Sequence, residues 1–244
     1  MMIRKNYILL FLFVGSVIDC IAKTDTVPVV YFNWNFLPEK NINYAYYYGI
    51  PHPINRKHYQ VTFYTMTDEK VASGEYLGRR LKRKHGVFVI YNNQEKIIVS
   101  ANYRKNVLYG TYQRFYENGQ LSDSGYIFRG GNKGTWKSWY STGQLKELKF
   151  YSFKRGYSTM ESEYISWNPG GSLDDSGYYR NNMRHGIWIE WIQSGIIKSV
   201  GEYKNGWKKG LWRYYDSKGK LLYMRRFSSF KYDEEGEYIP IREK

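Results

Sequence analysis

Between residues 86 and 227, large apolar side chains stand at fixed offsets within a unit of 24 residues. With the first residue of each unit counted as zero, the units open at Gly86, Gly110, Gly134, Ser162, Gly186 and Gly210, with one longer step of 28 residues before Ser162. Offset +2 is Phe88, Tyr112, Trp136, Tyr164, Trp188 and Trp212, and offset +5 is Tyr91, Phe115, Trp139, Trp167, Trp191 and Tyr215. Offset +11 is Ile or Leu throughout, and offset +17 is Tyr103, Ile127, Tyr151, Tyr179, Tyr203 and Phe227. Short aromatic-rich runs bounded by Gly, Asn and Ser clusters predict strands.

Two turns punctuate each unit. The first lies between +6 and +11, as Asn118-Gly119, Thr142-Gly143, Gly170-Gly171, Ser194-Gly195 and Lys218-Gly219, and only Gln94-Glu95 lacks glycine. Asn-Gly between strands predicts a type I′ turn, in which both central residues need positive φ. A two-residue loop at +8 and +9 makes cross-strand offsets sum to 17, so that +6 faces +11, +2 faces +15 and zero faces +17. Offset +15 is Ala101, Gly125, Lys149, Gly177, Gly201 and Arg225, so rings stand across from mostly small residues and are expected to cover the bare glycine backbone. A second turn, clearest in Lys204-Asn205-Gly206, leads to the next unit. The expected fold is all-β: an extended antiparallel β-meander of repeated β-hairpins, each marginal alone and dependent on its neighbours.

The ends depart from the repeat. Arg4 and Lys5 precede an apolar run from Tyr7 to Ile18 and a polar stretch to Ala22, which is the layout of a secretory signal peptide and too short to span a bilayer. The expected organisation is a signal peptide over 1–22, a non-repeat segment over 23–57, a degenerate hairpin and basic loop over 58–85, six hairpin repeats over 86–227 and a tail over 228–244. This implies an exported protein, periplasmic or extracellular, with a lipid anchor at Cys20 as the alternative; Asp19 before it argues against acylation. Cys20 is the only cysteine, so an exported body would have neither disulfides nor a thiolate metal site.

The formal net charge of +15 favours anionic partners, and export makes nucleic acid the least suited of them. Anionic lipid headgroups and acidic polysaccharide remain. Arg79, Arg80, Lys82, Arg83 and Lys84 form one candidate contact, a basic loop before the first clear unit. The aromatic column Tyr91, Phe115, Trp139, Trp167, Trp191 and Tyr215 forms another, since rings spaced along a sheet can stack on sugars or anchor a partner's side chains. Alternatively this face packs under the N-terminal segment.

Catalytic chemistry finds little support. His85 and His185 occupy a repeat slot that elsewhere holds Tyr109, Lys133 or Lys209, and His52 with His58 lacks the third ligand of a catalytic zinc site. Asp123, Glu147 and Asp175 share offset +13. Glu161, Glu163, Asp174 and Asp175 border the irregular fourth unit and are the carboxylates least explained by periodicity, the place where a hydrolase pair would have to lie. No catalytic, metal-binding or cofactor-binding residue is assigned, and a non-enzymatic role is expected.

Two stretches carry a family likeness: Gly210-Leu211-Trp212-Arg213-Tyr214-Tyr215-Asp216-Ser217-Lys218-Gly219-Lys220-Leu221 and Gly134-Thr135-Trp136-Lys137-Ser138-Trp139-Tyr140-Ser141-Thr142-Gly143-Gln144-Leu145. Both resemble the bacterial variant of the MORN repeat, and the likeness extends over roughly residues 86–227. The resemblance implies a scaffold for protein interaction or membrane-lipid contact. It also implies an antitoxin or immunity-type role, compatible with export only if the toxin is met outside the cytoplasm. A glycan-binding module built on the aromatic column is a further reading.

Overall fold

A computed structural model describes residues 29–154, 156–227 and 237–239. The signal peptide with Cys20, and most of the tail, lie outside the described residues. The chain forms β1 (Val30–Phe32), β2 (Tyr47–Pro53), β3 (His58–Thr65), β4 (Lys70–Leu77), β5 (Arg83–Tyr91) and β6 (Ile97–Arg104). There follow β7 (Val107–Phe115), β8 (Leu121–Phe128), β9 (Gly131–Trp139), β10 (Leu145–Lys154), β11 (Tyr157–Met160) and β12 (Ser162–Trp167). The sheet ends with β13 (Leu173–Arg180), β14 (Met183–Trp191), β15 (Ile197–Lys204), β16 (Trp207–Tyr215), β17 (Leu221–Phe227) and β18 (Glu237–Ile239). All join one antiparallel sheet in which each strand pairs with the next; β11 and β12 lie end to end along β10. The only helical element among the described residues is a 3-10 turn at Ile42–Tyr44.

The expected register holds along most of each hairpin. Gly86 faces Tyr103, Phe88 faces Ala101, Trp188 faces Gly201 and Trp212 faces Arg225. It fails at the turn. Tyr91 faces Ile97, Phe115 faces Leu121 and Trp191 faces Ile197, so +5, not +6, stands across from +11. The +6 N–H donates to the +10 carbonyl and the +9 N–H to the +6 carbonyl, as in Tyr116 to Gln120 at 2.8 Å and Gly119 to Tyr116 at 2.9 Å. Only the +9 residue has positive φ, 84° at Gly119 and 57° at Glu95, while Asn118 does not. The turn is therefore type I closed by a left-handed residue and a G1 bulge, not the expected type I′. Type I′ turns occur at the opposite edge, where both central residues have positive φ: Lys105-Asn106, Arg129-Gly130, Asn181-Asn182 and Asn205-Gly206.

The glycines do two different jobs. At offset zero, Gly86, Gly110, Gly134, Gly186 and Gly210 have φ from 65° to 122°, and each sits in a bulge on the strand that faces the preceding hairpin. A Cβ on Gly134, Gly186 or Gly210 would meet nothing within 4 Å, so backbone conformation selects glycine there. Ser162 has no positive φ; the chain breaks between β11 and β12 at Glu161 instead. At offset +15 the reason is space. A Cβ on Gly125, Gly177 or Gly201 would fall inside the ring of Trp136, Trp188 or Trp212 respectively. The covering ring thus belongs to the following hairpin, and not to the residue directly across within the same one.

This overlap joins the units. The Trp188 and Trp212 indole N–H groups donate at 3.1 Å to the Tyr178 and Glu202 carbonyls of the preceding hairpin. Each ring meets the +17 rings edge-on, with centroids of Tyr179–Trp188 and Tyr203–Trp212 both 5.1 Å apart. Trp188 and Trp212 are fully buried. At the other end, Phe32 and Phe36 pack against Phe63, Tyr76 and Phe88, and the Tyr76 hydroxyl donates to the Phe36 carbonyl at 2.6 Å. The N-terminal segment therefore covers the face of the +2 rings, whereas the +5 face was the expected one.

Two substitutions separate these roles. Gly201→Ala should destabilise by about 1–3 kcal/mol through overpacking against Trp212, whereas Glu95→Gly should stabilise by about 1 kcal/mol by relieving a left-handed non-glycine. Urea unfolding curves at fixed pH measure both.

Candidate binding surface

The two edges of the sheet differ in charge. The type I turn edge mixes signs, with Glu95, Lys96, Glu117, Lys146, Asp174, Lys198, Asp216 and Lys218 at or beside its loops. The type I′ edge is almost uniformly cationic. The turns carry Lys105 and Arg129, the flanking strand ends carry Arg83, Arg104, Lys133, Lys154, Arg180, Lys204 and Arg226, and the β4–β5 loop carries Arg79, Arg80 and Lys82 at its far end, all exposed. Glu163 and Glu202 are the exposed carboxylates of this edge among the described residues. The sequence reading found only the β4–β5 loop; the wider signal was present as basic residues recurring beside each second turn.

The same edge exposes apolar side chains, most of them on the face turned away from the packed rings, while Val107 also borders the packed face beside Lys84. Val107, Met183 and Trp207 open β7, β14 and β16, and Tyr126, Phe150 and Tyr178 stand at offset +16. Tyr157 and Trp207 are 75% and 59% exposed. Cations lie over rings here: Arg104 over Tyr109 at 5.5 Å, Lys133 over Phe128 at 4.7 Å and Arg129 over Phe128 at 5.4 Å. The surface is a basic rim backed by aromatic and aliphatic groups.

The expected contact residues separate. Arg79, Arg80, Lys82 and Arg83 are exposed and join this rim, while Leu81 between them is buried. Lys84 turns onto the packed face over the rings of Phe88 and Tyr103, at 4.8 and 5.1 Å. Tyr91, Phe115, Trp139, Trp167, Trp191 and Tyr215 are all half-buried, and the register shift at the turn sets Tyr91 and Phe115 across from the +11 residues. Lys70 lies over Tyr91 at 4.3 Å, and the Tyr116 and Tyr140 hydroxyls donate to the Trp139 and Trp167 carbonyls at 2.7 and 2.9 Å.

The fourth-unit carboxylates do not converge. Asp175 lies on the packed face, 3.1 Å from the Arg184 guanidinium and in register with Glu190. Adjacent Asp174 alternates to the other face and is exposed, as is Glu163, while Glu161 stands 3.9 Å from Lys154. Burial raises the Asp175 carboxyl above its ordinary value, opposed by Arg184 and assisted by Glu190. Offsets +4 and +13 form a ladder in which Ser138 donates to Asp123 at 3.0 Å and Ser199 to Glu190 at 2.9 Å. His58 lies beside His85, ring centroids 5.8 Å apart, and the Nδ1 atoms of His85 and His185 are buried without a partner. No group of three His, Cys, Asp or Glu suited to a metal ion occurs among the described residues, and no helix among them is long and apolar enough to cross a membrane.

The family model of the MORN repeat variant matches residues 108–125, 133–152 and 184–205. The three matches fall on the β7–β8, β9–β10 and β14–β15 hairpins. No curated protein matches the chain. The hairpin array is thus similar to a repeat scaffold of a kind often used in protein or membrane-lipid binding.

Amide substitution of Glu161, Glu163 or Asp174 should change stability by less than about 0.5 kcal/mol, while Asp175→Asn should leave stability at neutral pH unchanged or raise it by at most about 1 kcal/mol, because burying the charged carboxylate outweighs its attraction to Arg184. Because the folded state raises Asp175, its contribution is present at acid pH and is lost as pH rises through the folded-state value. Denaturant titrations of wild type and Asp175→Asn across the acid range should differ in slope there.

Proposed function

We propose that this protein is a non-enzymatic scaffold that docks through its type I′ edge onto an anionic, phosphate-bearing membrane surface and presents the rest of the sheet to a protein partner. The observation that carries this reading is the difference in sign balance between the edges: exposed lysine and arginine on the type I′ edge stand almost without carboxylates, next to exposed aromatic and aliphatic side chains, while those on the type I edge are mixed with acids. Near an anionic leaflet each such cation contributes about 1 kcal/mol, falling off within a screening length. Exposed tyrosine and tryptophan suit the headgroup region, where an apolar ring meets a wet polar tip. Read with a signal peptide over 1–22, the surface would be met outside the cytoplasm.

A protein partner seated on this edge in place of a membrane is the second reading, favoured by the apolar strip itself. Val107, Tyr126, Phe150, Met183 and Trp207 follow one another from hairpin to hairpin, as anchors along an extended partner would require. Neutralisation of a toxin is one form this could take. The half-buried +5 column argues against a glycan platform.

Vesicle co-sedimentation tests the membrane reading. Wild type should bind vesicles rich in phosphatidylglycerol at low salt, bind phosphatidylcholine vesicles weakly, and lose affinity as salt rises. Replacing Lys105, Arg129, Arg180 and Lys204 together by Gln should reduce binding to anionic vesicles by up to about a thousandfold, at roughly 1 kcal/mol per charge. Equal replacement of Lys146, Lys198, Lys218 and Lys220 on the other edge should have a much smaller effect. Equal losses from both edges would remove the proposal.

A further inference from the structure

Offset −2 lies on the packed face, and its cations reach polar partners in the ladder of offsets +4 and +13. Arg184 donates to Asp175 at 3.1 Å and to the Tyr203 hydroxyl at 3.4 Å, and Lys208 donates to the Tyr214 hydroxyl at 3.1 Å. In the first unit that ladder is apolar: Ile90 stands across from Val99 on one side and Ala72 on the other. Lys84, at the same offset, therefore has rings for company and, among the described residues, no anion. Its ammonium lies over Phe88, Tyr103 and Phe36 at 4.8, 5.1 and 5.4 Å. Rings attract a cation but do not replace the hydrogen bonds it gives up on leaving water.

A cleft of about 470 Å³ opens beside this group, between the N-terminal segment and the start of β7. Leu37, Tyr103, Val107 and Leu108 supply apolar wall, with Asn35 at the rim and Lys84 among the lining. The volume lies in the range of about 300–1,000 Å³ usual for small-molecule sites. Asn106 fixes the local frame: its side chain accepts from the Lys84 N–H at 2.6 Å and donates to the Lys82 carbonyl at 2.8 Å.

We propose that this cleft binds a small monocarboxylate with an apolar body, whose carboxylate supplies the counter-charge to the Lys84 ammonium that side chains supply to Arg184. The hydrocarbon part rests against Leu37, Val107 and Leu108. A bare phosphate suits the site less well, because its remaining oxygens would lose water against apolar wall. Burial lowers Lys84 to about 8, so the amine is near balance between its two forms at mildly alkaline pH. A carboxylate binds the protonated form; its affinity is full below that value and declines above it, and its presence raises the titration midpoint.

The test uses the protein labelled with 13C at lysine Cε, with benzoate as probe and the Lys84 resonance identified by its loss in Lys84→Met. Benzoate should raise the Lys84 midpoint by about one pH unit, and inorganic phosphate at equal ionic strength should raise it much less. Benzoate should also shift the Leu108 and Val107 methyl resonances in wild type and not in Lys84→Met, which keeps the packing of the side-chain stem. The proposal fails if benzoate leaves the Lys84 midpoint unmoved, if phosphate acts as strongly as benzoate, or if the methyl shifts persist in Lys84→Met. Leu108→Trp, which fills the cleft and leaves the ammonium in place, should abolish the benzoate shift while Lys84 still titrates; an undiminished benzoate shift in that variant overturns the assignment.

Discussion

A single-layer sheet has to hide its apolar face without a second layer to press against it. Here the six ring positions at offset +2 perform that task, each lying over the small residue at +15 of the hairpin before it where that residue is glycine. The contact needs a large ring and a missing Cβ at the same place, and its indole form adds a hydrogen bond to the neighbouring backbone. Hairpins that are marginal alone become stable because the ring of one closes over the gap in another. The buried clusters of the described residues follow from it: Tyr164, Trp188, Tyr203, Trp212 and Phe227 at one end, and Phe63, Tyr76 and Phe88 at the other, where Phe32 and Phe36 close the stack.

Most of this was legible in the offsets. The aromatic columns at +2 and +17 and the small residues at +15 gave the fold class, and the register from zero to +4 followed from them. The turns were less legible, since Asn118-Gly119 suits a type I′ turn as well as a type I turn with a left-handed glycine. The choice rests on one extra residue per loop, which a dipeptide does not reveal. That residue also set the +5 rings across from the +11 residues. Lys84 was grouped with its basic neighbours although its even distance from Gly86 places it with Phe88, and alternation was the stronger guide. The cover provided by the N-terminal segment could not be read, because Phe32 and Phe36 belong to no column.

The two kinds of turn give the edges different chemical freedom. At the type I edge, the left-handed +9 site and the capping side chains of Asn92, Asn168 and Asp216 at +6 fix much of the loop. At the type I′ edge, two residues suffice for the turn, and the strand ends beside them are free to carry charge. The positive surplus of the chain could therefore collect on one side of the sheet without disturbing the ring contacts that hold it together.

The type I′ turns are also tied to one another. The last turn residue donates to the strand two positions back, as Asn106 to Lys84 at 3.0 Å, Gly130 to Leu108 at 2.9 Å and Gly206 to Arg184 at 2.9 Å. Neighbouring basic turns are thereby held two strand spacings apart, roughly 9–10 Å, which is about one screening length at physiological ionic strength. Charges at that pitch barely repel one another, yet each still meets a facing anionic plane in full. The array then behaves as a ruler of nearly independent contacts, and the number of repeats, more than the strength of any one, sets its grip.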